Sequence, residues 1–110
     1  MILKNLQRNP DIVWRVEKRR QQAVLDRLEA GEEIEDEGTV ILLISGMMHQ
    51  MNLLGGMIWS LCDGSRGVDQ LVSELIVEFD VDAETLKADV LEFIDDLLER
   101  GWLSYDQSTH

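Results

Sequence analysis

Gly46 to Gly64, GMMHQMNLLGGMIWSLCDG, limits the folds open to this chain more than any other stretch, because a strand end, a helix start and a helix stop follow one another inside it. Asn52 is a suitable N-cap, since its side-chain oxygen can accept an orphan backbone N–H of the next turn. Leu53, Leu54, Met57, Ile58, Trp59 and Leu61 then have helical spacing, and Asp63-Gly64 closes the helix. Gly55-Gly56 falls in its first turn at a cost of roughly 1 kcal/mol of helix propensity per glycine, which close passage of another backbone would explain.

Upstream, residues 1–10 are polar with scattered leucines and end at Asn9-Pro10, which reads as a flexible N-terminal arm. Asp11 to Glu17 alternates as a strand, with Ile12, Trp14 and Val16 on one face. Residues 18–38 form a charged insertion. It opens basic, carries Val24, Leu25 and Leu28 at helical spacing, and reads either as a helix from about Gln21 to Ala30 stopped by Gly31, or as a solvated charged insertion that frays. Thr39 to Ile44 has the profile of a strand covered on both faces. Ser45-Gly46 is a two-residue turn, and Met47 to Met51 returns with Met47, His49 and Met51 on one face and Met48 and Gln50 on the other.

Downstream, Asp63 to Gly67 reads as a loop. A helix from Val68 to Phe79 buries Val68, Leu71, Val72, Leu75, Ile76 and Phe79. Another starts at the N-cap Asp82, buries Leu86, Val90, Phe93, Ile94, Leu97 and Leu98, and ends at Gly101 as the left-handed C′ residue. Trp102 and Leu103 fold back, and residues 105–110 are a tail. The expected fold is α+β and winged-helix-like: a three-stranded antiparallel sheet followed by three helices, with an extra helical insertion between strands one and two. One domain over residues 11–104 is implied.

Composition narrows the chemistry. A net charge of −12 argues against nucleic acid, whose phosphates call for a basic stripe. The single cysteine, Cys62, excludes an internal disulfide and suits a reducing, cytoplasmic setting. No apolar run approaches a membrane span. His49 and Cys62 fall short of a four-ligand metal set, so no metal or cofactor is expected; both are first read as ordinary strand and core residues. The glycines match neither phosphate-binding pattern. Carboxylates crowd the last two helices against Arg66, Lys87 and Arg100. They read first as a solvated face, and in the sharper alternative as a surface for a basic partner. Met47, Met48, Met51 and Met57 are either core filler, the first reading, or an adaptable apolar surface. Nothing in the chain reads as catalytic, so it is not expected to be an enzyme.

The run Met51-Asn52-Leu53-Leu54-Gly55-Gly56-Met57-Ile58-Trp59-Ser60-Leu61-Cys62-Asp63-Gly64 resembles the Leu-Asn-x-Thr-Gly-Ala-x-Ile-Trp-x-Leu-x-Asp-Gly signature of the PqqD family, the pyrroloquinoline quinone biosynthesis D proteins. Asn9 to Arg15 is similar to the family's first strand, and Val81 to Leu103 is similar to its last helix. Leu53-Leu54 stand where the family often has a polar pair, Gly67 where it often has threonine, and the 18–38 insertion has no counterpart.

The resemblance implies a non-catalytic peptide-binding accessory protein. Such a protein captures the leader of a ribosomally made precursor peptide by strand addition and presents it to a modifying enzyme, commonly a radical S-adenosylmethionine enzyme. The peptide would lie between Met47, Met48, His49, Gln50 and Met51 on one side and Val90, Phe93, Ile94 and Leu97 on the other. Two alternatives compete: a winged-helix regulator, disfavoured by its acidic last helix, and a structural subunit forming a homodimer through the 18–38 segment.

Overall fold

The computed structural model describes residues 5–32, 38–79 and 81–106. The ends of the expected arm and tail, part of the acidic half of the insertion and Asp80 lie outside the described residues. Two compact units make up the chain: Pro10–Met57, and Met1–Asn9 together with Ile58–His110.

Pro10–Met57 holds a three-stranded antiparallel sheet and a helix. Strand β2 (Val13–Val16) pairs with β3 (Val40–Ile44), which pairs with β4 (Met47–Met51), so β2 and β4 are its edges. Between β2 and β3 runs helix α1 (Lys18–Glu29), three residues longer at its start than its apolar spacing indicates. Gly31, at φ +77°, sends its N–H to the Leu28 carbonyl and ends the helix in the left-handed conformation that favours glycine. Val24 is buried within the chain, and Arg20 Nη1 donates to the Gly38 carbonyl at 3.0 Å, so α1 docks on its own chain. The β3–β4 turn is Ser45-Gly46, both at positive φ (51° and 79°). That is the mirror-image turn whose twist suits a two-residue hairpin.

One face of this sheet is the core face. Val40 and Leu42 of β3 are fully buried, and Met51 of β4 nearly so. Register puts Met51 opposite Val40 and His49 opposite Leu42. The other face departs from the expectation that β3 is covered on both sides: Leu43 is 50% exposed and Ile41 half-buried. Helix α2 (Leu53–Leu61) begins as the sequence requires, with Asn52 Oδ1 accepting the Gly55 N–H at 2.9 Å.

Met1–Asn9 with Ile58–His110 contains a sheet that the sequence pattern does not disclose. Strand β1 (Asn5–Arg8) is its centre, flanked by β5 (Asp63–Arg66) and β6 (Leu103–Asp106), both antiparallel to it. Residues expected in a mobile arm, a loop and a tail thus pair with one another. Leu6, fully buried, anchors the central strand, and Leu103 is buried on β6. Arg8 Nη1 donates to the carbonyls of Trp59 and Ser60 at 3.0 and 2.8 Å, placing a cation on the last turn of α2.

Helix α3 (Val68–Leu75) stops four residues short of Phe79. Beyond Leu75 the chain tightens into a turn in which the Glu78 N–H, at i→i−3 spacing, and the Phe79 N–H both bond the Leu75 carbonyl, at 3.0 and 3.2 Å. Helix α4 (Ala83–Arg100) has both expected ends: Asp82 accepts from the Thr85 N–H, and Gly101 at φ +78° lets Trp102 N–H bond the Leu97 carbonyl. Lys87 of α4 pairs with Asp69 of α3 at 3.1 Å. Among the described residues the fold is α+β, with two three-stranded antiparallel sheets and four helices.

Candidate functional site

The residues implied to hold a peptide fall into two groups, one on β4 and one on α4. Each belongs to its own unit and is taken by itself.

On β4, Met47 and Met48 are 63% and 60% exposed, Gln50 is exposed, His49 is half-buried and Met51 is buried. The hairpin turn fixes what the backbone of this strand offers. A two-residue turn makes Ile44 and Met47 a pair that exchanges both backbone bonds, and in an antiparallel ladder such pairs alternate with pairs that exchange none. The bonded pairs are then Ile44 with Met47, Leu42 with His49, and Val40 with Met51. The N–H and C=O of Met48 and Gln50 point the other way, to the open edge. Among the described residues no strand of the sheet pairs with that edge.

Met51 does a second job at the end of the strand. Its carbonyl accepts the Thr39 N–H at 2.7 Å as well as standing opposite Val40, so two residues of β3's approach face one residue of β4. Pairing ends there, and the chain turns into α2. Met51 is therefore a structural residue, whereas Met48 and Gln50 present both backbone and side chain.

On α4, Val90, Ile94 and Leu97 are buried, at 2% exposure or less, and form the helix's core stripe with Leu86. Phe93 is half-buried at the margin of that stripe. Its ring lies among the exposed carboxylates of Asp89, Glu92, Asp95, Asp96 and Glu99 on the same helix. Arg100 Nε pairs with Asp96 at 3.1 Å, and the Arg100 guanidinium lies 5.3 Å from the centre of the Trp102 ring. The rim of Phe93 is therefore strongly acidic, and a ligand meeting that ring is favoured by positive charge.

Pattern alone does not single out Val13, Ile41 and Leu43, which with Met48, Trp14 and Arg15 line a hollow of about 280 Å³ on the outer face of the first sheet. Val13 is 64% exposed. Their signal in the sequence is cross-strand register, which cannot be read from one strand at a time.

Other groups are accounted for locally. Cys62 is fully buried, and burial pushes its thiol up to about 12. The Ser65 hydroxyl and N–H, and then the Arg66 guanidinium, hold the Asp63 carboxyl down at about 2. Both are features of the α2–β5 corner. Among the described residues no group of three or more His, Cys, Asp or Glu is placed to hold a metal ion, and no helix is long and apolar enough to cross a membrane.

A family model described as coenzyme PQQ synthesis protein D (PqqD) matches residues 35–103, which takes in β3, β4, α2, β5, α3 and α4. The chain belongs to the PqqD family. Within that match, Asn52 to Gly64 supplies the capped helix and the corner after it, and the PqqD portion includes both groups of candidate residues. No curated protein matches the chain. Among solved structures, it is similar to TbiB1 in complex with the TbiA(beta) leader peptide. The TM-score is 0.61 at 22% identity, over 89% of this chain and 94% of that one. It is also similar to the PqqD truncation of Methylobacterium extorquens PqqCD, described as a functional, stand-alone recognition element for ribosomally synthesised and post-translationally modified peptides. There the TM-score is 0.60 at 17% identity, over 90% of this chain and 87% of that one. A third likeness, to the heterocyclase TruD, has a TM-score of 0.55 at 19% identity and covers 98% of this chain but 12% of the enzyme. At these identities the likenesses speak to the fold.

Proposed function

We propose that this protein is a peptide-recognition element that captures the leader of a ribosomally made precursor by adding it as a strand to β4, and presents it to a modifying enzyme. The observation that carries the reading is the open edge of β4, where the backbone groups of Met48 and Gln50 face outward on a strand of a PqqD-family fold. Unpaired edge groups are a template for an extended chain, and main-chain bonds supply affinity without demanding sequence. Met47 and His49 offer side-chain contacts on the opposite face of β4 from Met48 and Gln50. On α4, Phe93 in its acidic rim is the residue of that group open to a ligand, and it favours a leader carrying lysine or arginine.

The neighbours support the same division of labour. One is described in complex with a leader peptide, one is a stand-alone recognition element cut from a fused protein, and one is a heterocyclase of which this fold matches a small part. The protein itself acts by binding, without catalysis, and its enzyme partner is of the radical S-adenosylmethionine type. It works in the cytoplasm, where precursor peptides are made.

The test is a titration of isotopically labelled protein with synthetic leaders from short reading frames encoded beside its gene. The Met48 and Gln50 amides should shift and gain protection from hydrogen exchange. Binding that leaves both amides unchanged would remove β4 as the docking edge.

A further inference from the structure

The outer face of the first sheet carries an apolar row that the fold does not require. Register aligns Val13 of β2, Leu43 of β3 and Met48 of β4 directly across the three strands. All three are large apolar side chains, exposed at 64%, 50% and 60%. Single exposed apolar residues are ordinary on a protein surface. A solvated sheet face, however, is polar, and three in one cross-strand row reverse that rule. The next row differs: Arg15, Ile41 and Gln50 place a polar group at each edge.

Met48 and Gln50 are also the two β4 residues whose N–H and C=O face the open edge. A strand bonded to them sets one of its residues beside Met48 and another, two positions away, beside Gln50. Both of those side chains must emerge on the outer face, because directly opposed residues share a face. Resting on the strand-addition reading above, we infer that Met48 is a specificity-determining residue. It extends the Val13–Leu43 row to the edge and selects a large apolar residue in the peptide opposite it, with a polar residue two positions away opposite Gln50. The intervening peptide residue faces the His49 side and is not read by this row. The recognised feature is therefore an apolar and a polar residue two positions apart on the outer face of the added strand, reading apolar–x–polar if the strand runs parallel to β4 and polar–x–apolar if it runs antiparallel.

The experiment uses the full chain as bait for a displayed library of random dodecapeptides, run in parallel with wild type, Met48→Glu and Met48→Lys. Met48 is exposed, so both variants should retain the far-UV dichroism and melting temperature of wild type. Wild type should enrich an apolar and a polar residue two positions apart, in the one order that the direction of the added strand sets. Met48→Glu should turn the apolar position alone to lysine or arginine, and Met48→Lys should turn it to aspartate or glutamate. Peptides selected on wild type should bind either variant up to about fivefold more weakly, the range of a single cross-strand pair. The same consensus from all three proteins, or a charge preference spread over every position, overturns the role of Met48 while leaving strand addition standing. Failure of all three to enrich any peptide overturns both.

Discussion

Gly56 of α2 lies against Val40 of β3 so closely that a Cβ on the glycine would come within 2.7 Å of Val40 Cγ2 and 3.0 Å of the Thr39 hydroxyl. The helix can cross the strand there only because the glycine has no side chain, and Val40 is itself fully buried and cannot swing aside. Gly56→Ala should gain about 1 kcal/mol of helix propensity and lose about 1–3 kcal/mol to overpacking. The expected net result is a destabilised protein with a lower urea midpoint and a melting temperature several degrees down. A neutral or stabilising substitution would mean that α2 is free to shift away from β3.

Arg8 ties the central strand of the second sheet to the end of α2 through the Trp59 and Ser60 carbonyls, while its own N–H bonds the Cys62 carbonyl at 3.0 Å. Arg8→Met keeps most of the stem and removes the donors. The loss should be roughly 1–2 kcal/mol, as expected for charge-assisted bonds at a helix C-terminus in a half-buried setting. Hydrogen exchange should quicken first at the β1 amides, before the global midpoint is reached. Equal quickening throughout the chain would contradict a local role.

The capped helices were legible because their signals are local. Asn52, Asp82 and Gly101 each act on a backbone group within four residues, and all three do in the structure what their position in the sequence demands. The second sheet was not legible for the opposite reason. Its strands are four residues each, and one of them, Asp-Gly-Ser-Arg, opens on two types depleted in strands and holds no β-branched or aromatic residue. They form because Leu6 and Leu103, far apart in sequence, are buried and bring β1 and β6 together. The candidate site divides along the same line. Alternation on β4 marks its two faces, but which face is apolar at the edge depends on Val13 and Leu43, and those are aligned only by pairing.

Cys62 is sealed by burial, which pushes its thiol from 9.0 up to about 12. The native protein should therefore be almost inert to iodoacetamide at about pH 8, where a free thiol is partly thiolate, and should react promptly once unfolded in urea. The linkage has a definite sign. The raised folded pKa favours the native state below 9.0, and that advantage falls away as the pH climbs from 9.0 towards 12. Cys62→Ala should flatten the alkaline limb of the stability profile, at the cost of a smaller side chain in the core. Rapid labelling of native protein would show that the α2–β5 corner opens readily.

Asp63 provides the matching test at low pH, and here the sign is reversed. Its carboxyl is held at about 2, against an ordinary 3.8, first by the Ser65 hydroxyl and N–H and then by Arg66. A depressed folded pKa favours the native state above 3.8 and loses that contribution as the pH falls from 3.8 to about 2. The side chain is exposed, so solvent screening keeps the effect small. Asp63→Asn should be slightly less stable than wild type at neutral pH, and the difference should shrink as the pH falls from 3.8 towards about 2, where the native wild-type carboxyl is half protonated. Melting temperatures measured across this range at low and high salt separate the two causes. Added salt should weaken the Arg66 part and leave the Ser65 hydrogen bonds in place. A difference between the proteins that stays constant down to the lowest pH would show that Asp63 acts there through packing instead of charge.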